Sequence, residues 1–221
     1  MSLHQANGFK MEKKNSSDTW RVFCAIDLPE PLRKLMGEHV SALRRAVPAA
    51  RASWSRPESI HLTLKFLGET PLSEVQDFSR AVTHAVNDFV PFGLGVGGTG
   101  VFPVHGSPRV LWIGVDDFSR KLAELHARLE SESEKRGFER ETRPFRPHLT
   151  LGRLRSRERN KDSGSDHAKT SRTLALAHQA MSFPPSEITV SELLVMRSEL
   201  SSAGSKYTVI SRHALRLSDK L

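Results

Sequence analysis

The tetrapeptide His-Leu-Thr-Leu occurs twice in this 221-residue chain, at 61–64 and at 148–151. In an extended strand, successive side chains point to opposite faces. His61 and Thr63 therefore share one face while Leu62 and Leu64 share the other. His148 and Thr150 stand in the same relation to Leu149 and Leu151. Each copy predicts a strand with an apolar face for a core and a His/Thr face for something polar. Two such strands, 148 − 61 = 87 residues apart, require a fold that offers the same environment twice.

The rest of the chain can be read around those strands. Residues 1–19 are polar and without periodicity, and are expected to form a flexible tail ahead of a single domain over 20–221. Arg21–Asp27 is a β-rich run closed by Leu28-Pro29. Pro31 opens a helix over 31–46, and a second helix follows from Pro71 to about Asp88. Two strands, 92–100 and 110–115, precede a helix over 117–136 with Phe118, Leu122, Leu125 and Leu129 on one stripe. Residues 155–172 hold six Lys/Arg and three Asp/Glu with almost no apolar side chain, which predicts a solvated loop. A short helix and a terminal hairpin, Ile188–Met196 and Tyr207–Ile210 about Gly204, complete the order. Each half carries strands, helices and one His-Leu-Thr-Leu strand. The fold class is α+β, with two pseudo-symmetric lobes meeting at a cleft.

Several chemistries fail on the residues. Gly93, Gly95 and Gly98 satisfy G-x-G-x-x-G, but Val101-Phe102-Pro103 follows where a dinucleotide site needs a helix N-terminus. A glycine-rich strand that admits close approach is the better account. Catalytic zinc takes three protein ligands, whereas only His61 and His148 are evident, so no metal is expected. No G-x-S-x-G elbow is present. Cys24 is the only cysteine, which excludes an intrachain disulfide, and it sits in an apolar run that favours an inert thiol. No apolar run reaches membrane-span length and no signal-peptide core is evident, so a cytoplasmic location is expected. A formal charge of +8 favours polyanionic partners.

Two imidazoles suit displacement at phosphorus: one takes a proton from water while the other gives one to the departing oxygen. Threonine hydroxyls on the same face can donate to non-bridging phosphoryl oxygens. Arg153 could add charge, but a regular strand would turn it away from His148, so a bulge near Gly152 is required. Phe66 has the same parity problem relative to His61. It is either a core residue or a platform for a base.

At these residues the chain resembles the 2H phosphoesterases, and more narrowly the RNA 2′,3′-cyclic phosphodiesterases first described as bacterial 2′-5′ RNA ligases. The likeness runs through RVFCAIDLP at 21–29, HLTLKFLGE at 61–69, GVFP at 100–103, RVLWIGV at 109–115, RPFRPHLTLGRL at 143–154, MRSEL at 196–200 and KYTVI at 206–210. The resemblance implies two lobes, each an antiparallel sheet with helices outside, and an active-site cleft between them. It implies hydrolysis of RNA or nucleotide 2′,3′-cyclic phosphate ends to 2′-phosphomonoesters, with no cofactor, by a monomer. His61 would be the proton donor and His148 the proton acceptor. Thr63, Thr150 and Arg153 would hold the phosphate, and Phe66 would stack on the base. The near-symmetry of the two motifs leaves donor and acceptor indistinguishable without the family. A binding module without turnover, or 2′-5′ end joining at the same site, are the alternatives.

Overall fold

The structure, a computed structural model, describes residues 19–154, 164–201 and 204–216. Its elements are β1 (Thr19–Ile26), α1 (Glu30–Ala46), β2 (Ala52–Trp54), β3 (Leu62–Pro71), α2 (Leu72–Val86), β4 (Phe92–Phe102), β5 (Val110–Asp116), α3 (Lys121–Glu134), β6 (His148–Leu154), α4 (Gly164–Ala180), β7 (Ser186–Val190), β8 (Glu192–Ser201) and β9 (Gly204–Ala214). The expected α+β class and both motif strands are borne out. Leu62, Leu64, Leu149 and Leu151 are buried in the main core, whereas Thr63 is exposed and Thr150 half-buried.

The strands run β7-β4-β5-β6-β3-β1-β8-β9, with every pairing antiparallel and β2 added to β6. β3 and β6 meet at a single pair, Leu62 with Leu149. Beyond it β2 takes over the edge of β6, with Trp54 opposite Gly152. That substitution separates the two halves of the sheet into lobes and opens the cleft between them.

The lobes are not the two halves of the sequence. β4 pairs with β5 and β8 with β1, so the units β1-α1-β3-α2-β4 and β5-α3-β6-α4-β8 each give their last strand to the other lobe. The first helix of each unit also crosses over: α1 packs on α4, and α3 packs on α2 and β3. The run 188–196, read above as one strand, is two. β7 pairs with β4 and β8 with β1, on opposite lobes, with the break at Ser191.

Three further boundaries move. The helix expected over 117–136 starts at Lys121, because Asp117 accepts from the Ala123 backbone N–H and Arg120 adopts φ 60°. Phe118 thus falls outside the apolar stripe and is 86% exposed, whereas Leu122, Leu125 and Leu129 are buried. Of the polar run read as a loop, 155–163 lies outside the described residues, and 164–172 is the first half of α4. The N-terminal tail lies outside the described residues up to 18, and Thr19 already belongs to β1. Among the described residues no helix is long and apolar enough to cross a membrane.

The glycine-rich strand behaves as its composition implies. A Cβ on Gly100 would lie 2.1 Å from the Trp112 ring, and one on Gly114 would lie 2.7 Å from the Gly97 carbonyl oxygen. β4 and β5 close on each other only because those side chains are absent.

A buried histidine pair joins α1 to α4. His178 Nε2 donates to the Trp112 carbonyl at 3.0 Å, so its Nδ1 accepts from His39 Nε2, also at 3.0 Å. His178 is therefore neutral, and burial, followed by the neighbouring His178, pushes the His39 pKa down to about 4. The unfolded chain takes up protons below about pH 6.5 that the folded chain refuses, so this stability is present above that pH and is lost as pH falls toward 4. Denaturant unfolding should show a loss on the order of 2–3 kcal/mol from this site across that window. His39→Gln should flatten the dependence, and an unchanged pH slope would count against the assignment.

Candidate active site

The antiparallel meeting of Leu62 and Leu149 sets His61 across from Thr150 and Thr63 across from His148. All four lie on the face opposite the buried leucines. The two histidines are then diagonal neighbours across the junction, a relation that in a regular ladder spans about 7–8 Å and somewhat less at Cβ.

The parity problem at Arg153 and Phe66 has one solution used twice. Cys24 pairs with Lys65 but Ala25 with Thr63, leaving Leu64 as an extra residue. Leu111 pairs with Gly152 but Trp112 with Thr150, leaving Leu151 extra. Both bulges fall three residues after the histidine, and each reverses the alternation beyond it. The residue five after each histidine therefore turns onto the cleft face: Phe66 in one copy and Arg153 in the other. Phe66 is 54% exposed. Arg153 is exposed and makes no ion pair among the described residues. Neither Thr63 nor Thr150 spends its side-chain hydroxyl on a partner among the described residues.

The two imidazoles are held alike. His61 Nδ1 lies 3.0 Å from the Ser59 carbonyl oxygen, and His148 Nδ1 lies 2.7 Å from that of Arg146. A carbonyl only accepts, so each Nδ1 carries the hydrogen and each Nε2 is left for chemistry. His61 stacks on Phe23 at 4.8 Å and meets the edge of Tyr207 at 5.0 Å. His148 meets Phe102 edge-on at 5.0 Å, with Trp112 behind it.

Charge breaks the symmetry. Burial lowers the pKa of both rings from the ordinary value. At His61 the Ser59 carbonyl and the Asp27 carboxylate push back upward, while Arg33, ion-paired to Asp27, lowers it. At His148 the Arg146 carbonyl raises it and Arg153 lowers it. An anion beside His61 favours its protonated form, and a cation beside His148 favours its neutral form. Among the described residues no group of three or more His, Cys, Asp or Glu side chains is placed to hold a metal ion.

Residues 28–201 match the family model of the 2′-5′ RNA ligase superfamily. The chain belongs to the 2′-5′ RNA ligase superfamily. It is 33% identical over 190 residues, 85% of its length and 95% of the relative's, to an RNA 2′,3′-cyclic phosphodiesterase of Methanothermobacter thermautotrophicus. It is 31% identical to a protein of the same name from Thermotoga maritima, across 86% of this chain and 92% of that one. Among solved structures it resembles TT0787 of Thermus thermophilus, with TM-score 0.67 and 27% identity, covering 90% of this chain and 99% of that one. E. coli LigT in its apo form gives TM-score 0.65 at 27% identity with the same coverage. The resemblance read from the motifs is thereby borne out.

In this member of the superfamily the bulge of β3 is fastened from behind. Lys65, the residue after Leu64, turns inward and is 4% exposed. Its Nζ donates to Glu130 Oε2 and to the Glu139 carbonyl, each at 2.7 Å. Glu130 Oε2 also accepts from the Glu141 backbone N–H, and His126, with Nε2 3.8 Å from Glu130 Oε1, stacks on Phe145 at 3.9 Å. One helix, α3, thus pins both the bulge that presents Phe66 and the segment leading to Arg146 and His148. In β6 the equivalent position is Gly152, where a Cβ would lie 2.9 Å from the Trp54 ring. Sequence reading missed Lys65, Asp27, Phe23, Phe102, Trp112 and Tyr207. All but Lys65 and Asp27 are aromatic residues beside a histidine, lying within stretches that carry the resemblance but were given no role.

Proposed function

We propose that the protein hydrolyses 2′,3′-cyclic phosphate ends of RNA or nucleotides to 2′-phosphomonoesters by two-histidine acid–base catalysis. The observation that carries this reading is the antiparallel junction of the two motifs, which sets each histidine against the other copy's threonine, with neither Nε2 hydrogen-bonded among the described residues. His148 Nε2 takes a proton from water as its oxygen attacks phosphorus. The P–O3′ bond breaks, and His61 Nε2 gives its proton to the departing 3′-oxygen, leaving the phosphate on O2′. The hydroxyls of Thr63 and Thr150 and the Arg153 guanidinium meet the charge on the non-bridging oxygens. The terminal base stacks on Phe66. Asp27 beside His61 and Arg153 beside His148 support that division of roles.

No step needs a metal ion, so turnover of a 2′,3′-cyclic nucleotide should persist in excess EDTA. A requirement for added divalent cation would overturn the metal-free reading. The pH profile of kcat/KM should rise through the His148 limb and fall through the His61 limb, both displaced to the acid side by burial. Arg153→Gln removes a group that lowers the His148 pKa and should move the rising limb to higher pH. Asp27→Asn removes one that raises the His61 pKa and should move the falling limb to lower pH. Unmoved limbs in both variants, read from initial rates, would contradict the division of roles.

A further inference from the structure

The cleft continues past His148 and Thr63, away from His61. A cavity of about 1380 Å³ includes Thr63 and His148 at one end, larger than the roughly 300–1,000 Å³ common for small-molecule sites. It follows β3 from Thr63 to Pro71, a run of roughly 25 Å at ~3.3 Å per residue. One wall is the extended segment between α3 and β6, which carries Arg140, Arg143 and Arg146 at every third position, all exposed. The facing wall carries Glu69 and Glu74.

Charge along this groove is segregated more than it is positive, since Glu139 and Glu141 interrupt the arginine wall. Glu69 is engaged by Arg21 at 3.7 Å. Arg140 pairs with Glu134 at 3.4 Å and Arg143 with Glu141. Such exposed pairs are weak and readily exchanged for a phosphate. Arg146 has no carboxylate partner among the described residues. A polyanion entering the groove is drawn to the arginine side and repelled from the glutamate side. Its phosphates are thereby drawn to one wall, while Phe66 and Phe145 also line the groove.

A 2′,3′-cyclic phosphate closes the 3′ end of a strand, so everything else in that strand lies on its 5′ side and leaves by a single route. Resting on the function given above, we propose that this groove binds the nucleotides 5′ of the cyclic end. Their phosphates run along Arg140, Arg143 and Arg146, and the terminal base lies on Phe66. The ligand class is single-stranded RNA of several nucleotides in preference to a free cyclic mononucleotide.

Fluorescence anisotropy tests this without turnover. A labelled RNA hexamer ending in 2′-phosphate is titrated with the wild-type protein and with an R140Q/R143Q variant, and a nucleoside 2′-monophosphate is measured by competition. The hexamer should bind at least tenfold more tightly than the mononucleotide at low salt. Its log K against log salt should be steeper, at about 0.7 per phosphate contacted. The variant should lose most of the hexamer's advantage and about 1.4 units of slope, ~0.7 for each of its two lost contacts, with mononucleotide affinity unchanged. Equal affinity for both ligands, or a variant that keeps the advantage, would overturn the groove. Failure to hydrolyse a cyclic mononucleotide would count against the catalytic reading alone, since the binding arms stand without it.

Discussion

His61→Ala and His148→Ala should each lower kcat on a 2′,3′-cyclic nucleotide by about 10²–10⁴-fold, the usual worth of a positioned proton transfer. The two losses should not multiply. Without His148 the attacking water keeps its proton, and without His61 the 3′-oxygen must depart as an alkoxide; both defects raise the same transition state. The double variant is therefore expected to be nearly as active as either single one, as for other groups that act as a unit. The fold should survive both changes, since both rings lie on the cleft face, with His61→Ala the more costly because it removes the stack on Phe23. Single-turnover rates for the three variants, with thermal unfolding alongside, check this. Two losses that multiply, or a single variant with near wild-type rate, would show that the motifs do not form one composite site.

Lys65→Met should produce the largest loss of stability from a single change near the cleft. Lys65 and Glu130 are a buried pair whose side chains are each 3% exposed, and removing one partner of such a pair typically costs 3–5 kcal/mol because the other charge is left unpaired. Glu130 Oε1 already lacks a hydrogen-bond partner, and without Lys65 the carboxylate keeps only the Glu141 N–H and the His126 ring, 3.8 Å away. Lys65→Met with Glu130→Leu should recover more than half of the loss, because an apolar pair of similar volume replaces the ions. The double variant should still bind RNA ends less well than wild type. The Lys65 bonds to Glu130 and the Glu139 carbonyl are what hold the bulge that turns Phe66 outward. Urea unfolding of the two variants decides the matter: a single-variant loss under about 1 kcal/mol, or no recovery in the double, would mean the pair is dispensable.

Much of this was legible in the sequence for a physical reason. A strand alternates with period two, so His-Leu-Thr-Leu alone specified which face of each motif is core and which is free. The helices over 30–46 and 72–86 followed from prolines and apolar spacing. The exchange of strands between lobes was not legible, because β7 and β8 are separated by a single residue and 188–196 reads as one alternating strand. Nothing in 188–196 says that the chain leaves one lobe for the other at Ser191. The need for a bulge near Gly152 could be stated in advance from the parity of Arg153. Its twin at Leu64 could not, because Phe66 was as acceptable in the core as in the cleft. The inward turn of Lys65 was invisible too, since the carboxylate that receives it lies 65 residues away on another element.

The central claim is that the two motifs form one site that opens a cyclic phosphate in a single sense. The direct measurement is the product formed from an RNA ending in a 2′,3′-cyclic phosphate, incubated with the protein in EDTA and separated by chromatography against 2′- and 3′-phosphate standards. The account predicts 2′-phosphate alone, because His61 protonates only the oxygen it faces. A 3′-phosphate, or a mixture of the two, would contradict it.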